Sequence, residues 1–245
     1  MKLHVINTGS IGNCYLLKAS TGEILMIECG VPFKEIQKAL DFDYSGVVGC
    51  LISHEHKDHC KAVKDVLGNG ISVYATEKTR EKSCDPCFGF YTIEKNKIHV
   101  IRSFKVIPFS VQHDAVDPVG FLIHHPECGV VLFATDTYYL KQTFTGLNNI
   151  IIEANYCEDI LNQLEEQGKA NTYVSDRVRQ SHMSIQQTIN TLNANDLTAV
   201  NNIVLIHLSD GNSDEKRFKS MVEKATGKRT FVAIKGMEID FNLTL

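Results

Sequence analysis

Short apolar runs recur along the chain, and their alternating or continuous hydrophobic character predicts buried β-strands. The predicted strands are Leu3–Asn7, Cys14–Ala19, Glu23–Cys29, Val47–Ser53, Ser72–Thr76, Lys97–Arg102, Lys105–Val111, Val119–His125, Val130–Thr135, Asn149–Asn155, Asn202–Leu208 and Arg229–Ile234. Apolar residues spaced three and four apart predict helices at Phe33–Leu40, Lys61–Leu67, Glu158–Glu166, Ser184–Leu192 and Asp214–Ala225. Blocks of strands with interspersed helices in both halves predict two sheets packed face to face, with helices outside.

Composition places the chain among soluble globular proteins, with 43% hydrophobic and 22% charged residues. No linker rich in Pro, Gly or Ser divides it, so residues 1–245 are expected to form one domain. The apolar run at the N-terminus is too short for a signal peptide, and no segment approaches the roughly 20 apolar residues of a membrane span. We therefore expect a cytoplasmic protein with no membrane partner.

The formal net charge of −4 argues against a protein that coats nucleic acid through bulk charge. It leaves room for an enzyme that uses local basic patches, although charge runs of this kind are more often solvated helix faces. Three groups are candidates: Lys78, Arg80 and Lys82; Arg177 and Arg179; and Lys216, Arg217 and Lys219. The eight cysteines are expected to be reduced thiols, because no secretory signal is present. Cys84 and Cys87 form a lone C-x-x-C without a second pair, so their role stays open.

The stretch SHEHKDH, residues 53–59, directly follows the apolar run Val47–Ile52. His54 and His56 are two residues apart in extended chain, so their rings can leave the backbone on the same side. Asp58 and His59 follow at the turn into a helical segment. One metal ion cannot readily bind all four side chains at this spacing, whereas two adjacent ions can.

Further ligand-type residues follow predicted strands elsewhere in the chain. His113 comes after Lys105–Val111, Asp136 follows Val130–Thr135, and His207 closes an apolar run. Such positions are what a site at one edge of a sandwich requires. The remaining strand histidines lack partner ligands and are not expected in the site: His4, His99, His124 and His125.

Ser184 and Gln187 form a capping-box pattern at the start of a predicted helix. His182 therefore lies just ahead of a helix N-terminus, a position from which a side chain can enter a cleft. A structural or capping histidine remains the alternative at this position.

The series from His54 to His207 resembles the metallo-β-lactamase fold hydrolases over nearly the whole chain. This resemblance implies an α+β fold, an αβ/βα four-layer sandwich of two mixed sheets with the metal site at one edge. It also implies two divalent ions, Zn²⁺ or Mn²⁺, with Fe²⁺ also suited. The first ion would be held by His54, His56 and His113, the second by Asp58, His59 and His207, with Asp136 bridging them.

A bridging Asp136 resembles the phosphodiesterase and thioesterase branches of the fold. Finer motifs include GSIGN at residues 9–13, HDA-x-DP at 113–118 and SH-x-S at 181–184. They resemble the small YycJ/WalJ-type proteins, which are related to ribonuclease Z and associated with 5′-to-3′ DNA exonuclease activity. By the same resemblance Glu153 and His182 would act together in proton transfer to the leaving group, and Asp58 would orient the attacking water.

Three departures from the family pattern bear on substrate. Glu28 stands where an Asp is usual, and it can still orient a ligand histidine. Tyr156 stands where the relatives commonly have His, and no insertion supplies the arm that binds tRNA. Without that arm we expect no processing of tRNA 3′ ends. The resemblance implies a dinuclear metal-dependent phosphodiesterase that acts on nucleic acid, with DNA favoured over RNA, as a 5′-to-3′ exonuclease. The alternatives are hydrolysis of a small phosphodiester or of a thioester, and a non-enzymatic metal-binding regulatory role. Oligomeric state is not predicted.

Overall fold

Two seven-stranded β-sheets form the centre of the molecule in the computed structural model, which describes residues 1–84 and 87–243. The strands are β1 Lys2–Asn7, β2 Cys14–Lys18, β3 Ile24–Ile27, β4 Val47–Leu51, β5 Val73–Ala75, β6 Phe90–Thr92, β7 His99–Ile101, β8 Phe104–Ser110, β9 Val119–His125, β10 Gly129–Ala134, β11 Leu147–Glu153, β12 Asn202–Ile206, β13 Thr230–Val232 and β14 Glu238–Asp240. The helices are α1 Phe33–Ala39, α2 Lys57–Cys60, α3 Val63–Gly68, α4 Glu77–Ser83, α5 Glu158–Glu166, α6 Thr172–Ser181, α7 Ile185–Asn193 and α8 Glu215–Thr226.

Each sheet mixes parallel and antiparallel pairing. The first has the strand order β14-β1-β2-β3-β4-β5-β6, and the second has β13-β12-β11-β10-β9-β8-β7. Strands β1 to β3 pair antiparallel and β3 to β6 pair parallel. In the second sheet, β7 to β10 are antiparallel and β10 to β13 are parallel. The parallel strands carry their carboxyl ends to one edge, which is where the candidate site lies.

The core between the sheets follows from alternation along the strands. In β2, Tyr15 and Leu17 pack between the sheets, while Leu16 packs on the outer face. Tyr15 meets Phe133 of the second sheet edge-on at 5.6 Å between ring centroids. Outer clusters bury the other face of each sheet, with residues of α1 and α3 on the first sheet and of α7 and α8 on the second. The predicted α+β sandwich is confirmed.

The predicted strands and helices are present with ends shifted by up to two residues. The structure adds α2, α4, α6, β6 and β14, which the hydrophobic pattern does not mark because they are short or mostly solvent-exposed. The break between α2 and α3 has a specific cause. The N–H of Ala62 donates to the carbonyl of Cys29 at 2.9 Å, so it leaves the helical hydrogen-bond series and ties α2 to the end of β3.

The expectation of reduced thiols throughout is wrong at one pair. Cys84 and Cys87 form a disulfide, with Cα atoms 5.8 Å apart and therefore within bridging range. The expectation rested on the missing secretory signal alone, and it took no account of how close these two cysteines lie in the fold. The other cysteines are free and buried: Cys14, Cys29, Cys50, Cys60, Cys128 and Cys157. Within residues 1–84 and 87–243, no helix combines the length and apolarity needed to cross a membrane.

Gly30 allows α2 to approach the end of β3. A Cβ at this position would lie 1.6 Å from the carbonyl oxygen of Asp58, which is backbone and cannot rotate away. We expect Gly30→Ala to lower the free energy of unfolding by about 1–3 kcal/mol or more, because the helix that carries Asp58 and His59 must shift. Urea or guanidinium denaturation measures this change.

Gly68→Ala is the matched control, since no atom lies within 4 Å of a Cβ built on Gly68 at the end of α3. We expect Gly68→Ala to be neutral or slightly stabilising, as Ala favours helix over Gly. Equal denaturation midpoints for the Gly30→Ala variant and the unchanged protein would contradict the close approach.

Candidate metal centre

The candidate site is built by strand ends from both sheets. β4 of the first sheet leads into the segment that contains His54, His56 and α2. In the second sheet Asp136 and His207 follow β10 and β12, and His113 lies in the loop after β8. All the ligand residues predicted from the sequence thus meet at one edge of the sandwich.

Three imidazoles form the first candidate group, His54, His56 and His113, whose ligand atoms lie within 4.8 Å of one another. His56 Nδ1 lies 3.1 Å from His54 Nε2 and 3.3 Å from His113 Nε2. His113 Nδ1 lies 3.0 Å from the carbonyl oxygen of Ser181, to which an Nδ1–H donates. That bond leaves Nε2 as the lone-pair atom within the group, as a ligand requires.

The second candidate group combines Asp58, His59, Asp136 and His207 within the same 4.8 Å limit. His59 Nε2 lies 3.3 Å from Asp58 Oδ2 and 3.2 Å from Asp136 Oδ2. Asp58 Oδ2 is 3.7 Å from His207 Nε2. Carboxylate and imidazole donors at this density can hold a divalent ion.

The carboxylate of Asp136 contacts both groups. Its Oδ2 lies 3.7 Å from His54 Nε2 and 3.6 Å from His113 Nε2, in addition to the contact with His59. Its Oδ1 lies 3.4 Å from His207 Nδ1 and accepts a hydrogen bond from Thr135 Oγ1 at 2.8 Å. Asp136 is 3% exposed, so its charge is almost entirely removed from water. This is the position that a bridging ligand would occupy.

Three residues of this region adopt left-handed backbone conformations within two residues of a strand end: Glu28 with φ 64°, Asp136 with φ 46° and His207 with φ 54°. Such conformations cost about 1–2 kcal/mol each for residues with a Cβ, less for Asp. Hydrogen bonds hold two of them, since Glu28 N donates to Leu51 O at 2.8 Å and His207 N donates to Thr8 Oγ1 at 2.9 Å. Strain of this kind commonly persists at functional sites.

The buried carboxylates of the second group are stabilised by positive charge on their neighbours. Burial opposes ionisation of Asp136, but the neighbouring His207 and His59 hold the pKa of its carboxyl well below the usual range. Burial likewise opposes a charge on His207, yet Asp136, Asp58 and Glu153 raise the pKa of its imidazole to about 10. Protons on imidazoles therefore balance the buried carboxylates here, and a divalent cation would do so more completely.

Two further observations indicate that the His and Asp side chains of these groups suit a divalent ion. Buried His207 Nε2, which faces Asp58, has no hydrogen-bond partner, which is costly for a polar atom removed from water. In the first group, burial lowers the pKa of His54 well below its usual value, so that imidazole is neutral and free to ligate. Mixed imidazole and carboxylate donors suit Zn²⁺, Mn²⁺ or Fe²⁺.

Glu28 lies behind His59, with Oε1 3.5 Å from His59 Nδ1, and is fully buried. Burial raises the pKa of Glu28, and His59 opposes that rise. The N–H of Ser53 donates to Glu28 Oε1 at 3.3 Å. Glu28, although longer than the usual Asp, thus still reaches His59 and can orient this histidine.

Glu153 and His182 form a short contact beside the second group. His182 Nδ1 lies 2.6 Å from Glu153 Oε1, which is also 3.2 Å from His207 Nδ1. The other oxygen, Oε2, accepts from the N–H of Thr137 at 2.9 Å and of Met183 at 3.3 Å. Burial opposes a charge on His182, but Glu153 raises the pKa of its imidazole. His182 can therefore hold a proton next to the candidate ligands.

These side chains share one cavity of about 250 Å³. Its lining residues are Ser10, His56, Asp58, His113, Asp114, Asp136, Val174, Arg177, Val178, Ser181, His182 and His207. Val174 and Val178 were not identified from the sequence as site residues, because aliphatic side chains carry no chemical signature, whereas Ser10 and Ser181 lie in motifs that the resemblance marked without giving them a role. Tyr156 is buried, and its backbone forms a β-bridge with Ser184. The hydroxyl of Ser184 caps α7 by accepting a hydrogen bond from Gln187 N at 3.2 Å.

The histidines expected outside the site have other surroundings. His4 lies 3.7 Å from Glu238, and His99 bonds the backbone of Glu94. His125 Nε2 lies 2.9 Å from Ser103 Oγ, and His124 is exposed on β9. Asn13 is an addition that ligand patterns do not reveal. Its Nδ2 lies 3.2 Å from His59 Nε2.

Comparison with known proteins places these observations in a family. Residues 33–208 match the model of the β-lactamase superfamily domain. A stretch of 179 residues is 30% identical to the exodeoxyribonuclease YycJ of Bacillus anthracis, and it spans 66% of this chain and 66%, about two thirds, of that protein.

Two solved structures share the fold. The metallo-β-lactamase fold protein YhfI of Bacillus subtilis superposes with a TM-score of 0.74 at 14% identity, covering 97% of this chain and 98% of that one. A diphosphatase of the PhnP family gives 0.69 at 13% identity, covering 100% and 99%. The fold implies divalent metal ions, in agreement with the His and Asp clusters. The chain belongs to the β-lactamase superfamily and is a hydrolase of the metallo-β-lactamase fold.

Proposed function

We propose that this protein is a dinuclear metal-dependent phosphodiesterase that hydrolyses DNA as a 5′-to-3′ exonuclease. The observation that carries the proposal is the carboxylate of Asp136, which lies between the three-histidine group and the group containing Asp58. The similarity to a protein named exodeoxyribonuclease supports the choice of DNA.

The proposed ligand roles follow the two groups. His54, His56 and His113 would hold one ion, and Asp58, His59 and His207 the other, with Asp136 contacting both. Divalent ions at such a centre supply Lewis acidity, which activates water and balances the charge that develops on a phosphodiester. Asp58 is 27% exposed at its side chain and lines the cavity, so it can also accept a hydrogen bond from the attacking water and orient it.

His182 is the proposed general acid. A phosphodiester bond breaks when an oxygen of the sugar leaves with the electron pair, and that oxygen needs a proton. His182 lines the cavity, and Glu153 favours its protonated form through the 2.6 Å contact. Two backbone N–H groups fix the opposite oxygen of Glu153, so the carboxylate holds the imidazole in one orientation.

A small phosphodiester is the second candidate substrate. The cavity beside the candidate ligands has a volume of only about 250 Å³, and the fold is shared with a diphosphatase. Ligand pockets of roughly 300–1,000 Å³ are usual for small molecules. A cavity of this size can accept a phosphodiester and its immediate substituents.

The direct test combines elemental analysis with a polarity-resolved nuclease assay. Protein loaded with Mn²⁺ or Zn²⁺ is incubated with linear DNA labelled at either the 5′ or the 3′ end, and with bis-p-nitrophenyl phosphate. Early release of the 5′ label supports the proposal. Intact DNA with hydrolysed bis-p-nitrophenyl phosphate supports the small-phosphodiester candidate, and two intact substrates with a cleaved glutathione thioester would contradict both.

Replacement of His182 tests the general acid. We expect His182→Ala to lower kcat on DNA by about 10²–10⁴-fold, with its metal content kept. The loss should be smaller on bis-p-nitrophenyl phosphate, because p-nitrophenolate leaves readily without a proton. His124→Ala, on the exposed surface of β9, is the control. Equal losses on both substrates would argue against proton donation, and full activity would favour a structural histidine.

Metal binding should stabilise the fold measurably. An ion present at 100 times its Kd adds about 2.7 kcal/mol, which raises Tm by roughly 5–10 °C in a chain of this size. We expect this shift between chelator-treated and Zn²⁺- or Mn²⁺-loaded protein in scanning calorimetry. Asp136→Asn should lose most of the shift, whereas Asp65→Asn, on the exposed face of α3, should retain it. A Tm that does not respond to metal would contradict the ligand assignment.

A further inference from the structure

A second cavity of about 640 Å³ adjoins the one beside the candidate ligands. The two cavities share His113, Asp114, Arg177 and Ser181 as lining residues. The second is otherwise lined by Tyr138, Tyr173, Asp176 and Gln180. A molecule that extends from the candidate metal centre in this direction would therefore meet two tyrosines and an arginine.

Both tyrosines are exposed, Tyr173 at 79% and Tyr138 at 44%. Single exposed aromatics are common and need no explanation. Here, however, two of them line the same cavity, and both are anchored through their backbones. Tyr138 N donates to Gln112 O at 3.2 Å, and Tyr173 N donates to Asn171 Oδ1 at 2.9 Å.

The two arginines of α6 differ in their partners. Arg179 contacts Glu158 at 2.7 Å and Glu165 at 3.0 Å, and thereby fastens α6 to α5. Arg177 is 67% exposed and lies 3.6 Å from Asp114, which is 48% exposed. A surface pair of this kind contributes little, so the guanidinium can turn to a phosphate group at small cost.

We propose that the second cavity binds an unpaired nucleobase next to the scissile phosphodiester, with Tyr173 and Tyr138 stacking on the base and Arg177 contacting the adjoining phosphate. This inference rests on the proposed nuclease function and names the form of DNA that the site accepts. Aromatic side chains stack on any base, and a base in a duplex does not offer its faces for stacking. The cavity volume lies within the range of small-molecule sites.

Tyr173→Ala tests the stacking contribution. We expect its kcat/KM on a single-stranded oligonucleotide to fall about tenfold more than its kcat/KM on bis-p-nitrophenyl phosphate, which has no base. Tyr173→Phe keeps the ring and should restore the oligonucleotide rate. Tyr91→Ala removes an exposed tyrosine on the edge strand β6 and serves as the control for both substrates. Equal losses on the two substrates would overturn the inference.

Equilibrium binding separates this inference from the proposed function. Fluorescence anisotropy of a labelled oligonucleotide with the metal-loaded protein should show about tenfold weaker binding when the terminal nucleotide is abasic. Tyr173→Ala should abolish that difference. If the unchanged protein binds both oligonucleotides equally, the base subsite is wrong even when DNA is cleaved. If it discriminates between them but cleaves neither, the nuclease proposal fails and the subsite stands.

Salt dependence tests the phosphate contact. Loss of one contact to a single strand lowers the slope of log K against log salt concentration by about 0.7. We expect this change for Arg177→Ala and none for Arg102→Ala, an exposed arginine that precedes β8 and so lies at the opposite end of that strand from His113. Identical slopes for the two variants would remove Arg177 from the subsite.

Discussion

The buried carboxylate of Asp136 is the constraint on which the site depends. A charge that is 3% exposed is expensive unless it is paired on all sides, and Asp136 meets imidazoles from four separate positions within 3.7 Å. Two of these, His54 and His59, lie beyond β4 of the first sheet, and the others, His113 and His207, belong to the second. The two sheets must therefore bring these strand ends together at one edge of the sandwich for the charge to be balanced.

The backbone accommodates this meeting at a local cost. Glu28, Asp136 and His207 take left-handed φ values where their strands end, a conformation that strand propensity alone does not favour. The neighbouring helix α2 is fixed by backbone bonds, with Asn13 N donating to Asp58 O and Cys29 N donating to His59 O, each at 2.8 Å. The three hydrophobic clusters between and outside the sheets stabilise the strands that carry this strain.

Sequence patterns predicted the parts of the molecule that depend on burial. Strands β4, β10 and β12 are apolar runs. The His and Asp residues that follow them can be identified from the sequence because their side chains are typical metal ligands. The pairing of Glu153 with His182 was identified only through a resemblance, since no periodicity relates residues that are 29 positions apart. Helix α6 was missed because most of its residues are exposed, so it lacks the apolar stripe by which a helix is recognised.

Helix α6, which the hydrophobic pattern does not reveal, carries Tyr173 and Arg177 of the proposed base subsite. Buried electrostatics fix the ligand residues closely, and a change at any of them leaves another charge without its partner. Tyr173 and Arg177 are under no such constraint, because α6 is fastened to α5 through Arg179 rather than through their side chains. The exposed side chains of α6 can vary without disturbing the centre. In the proposed function, chemistry and substrate choice are thus assigned to different parts of the chain, and burial patterns reveal only the first.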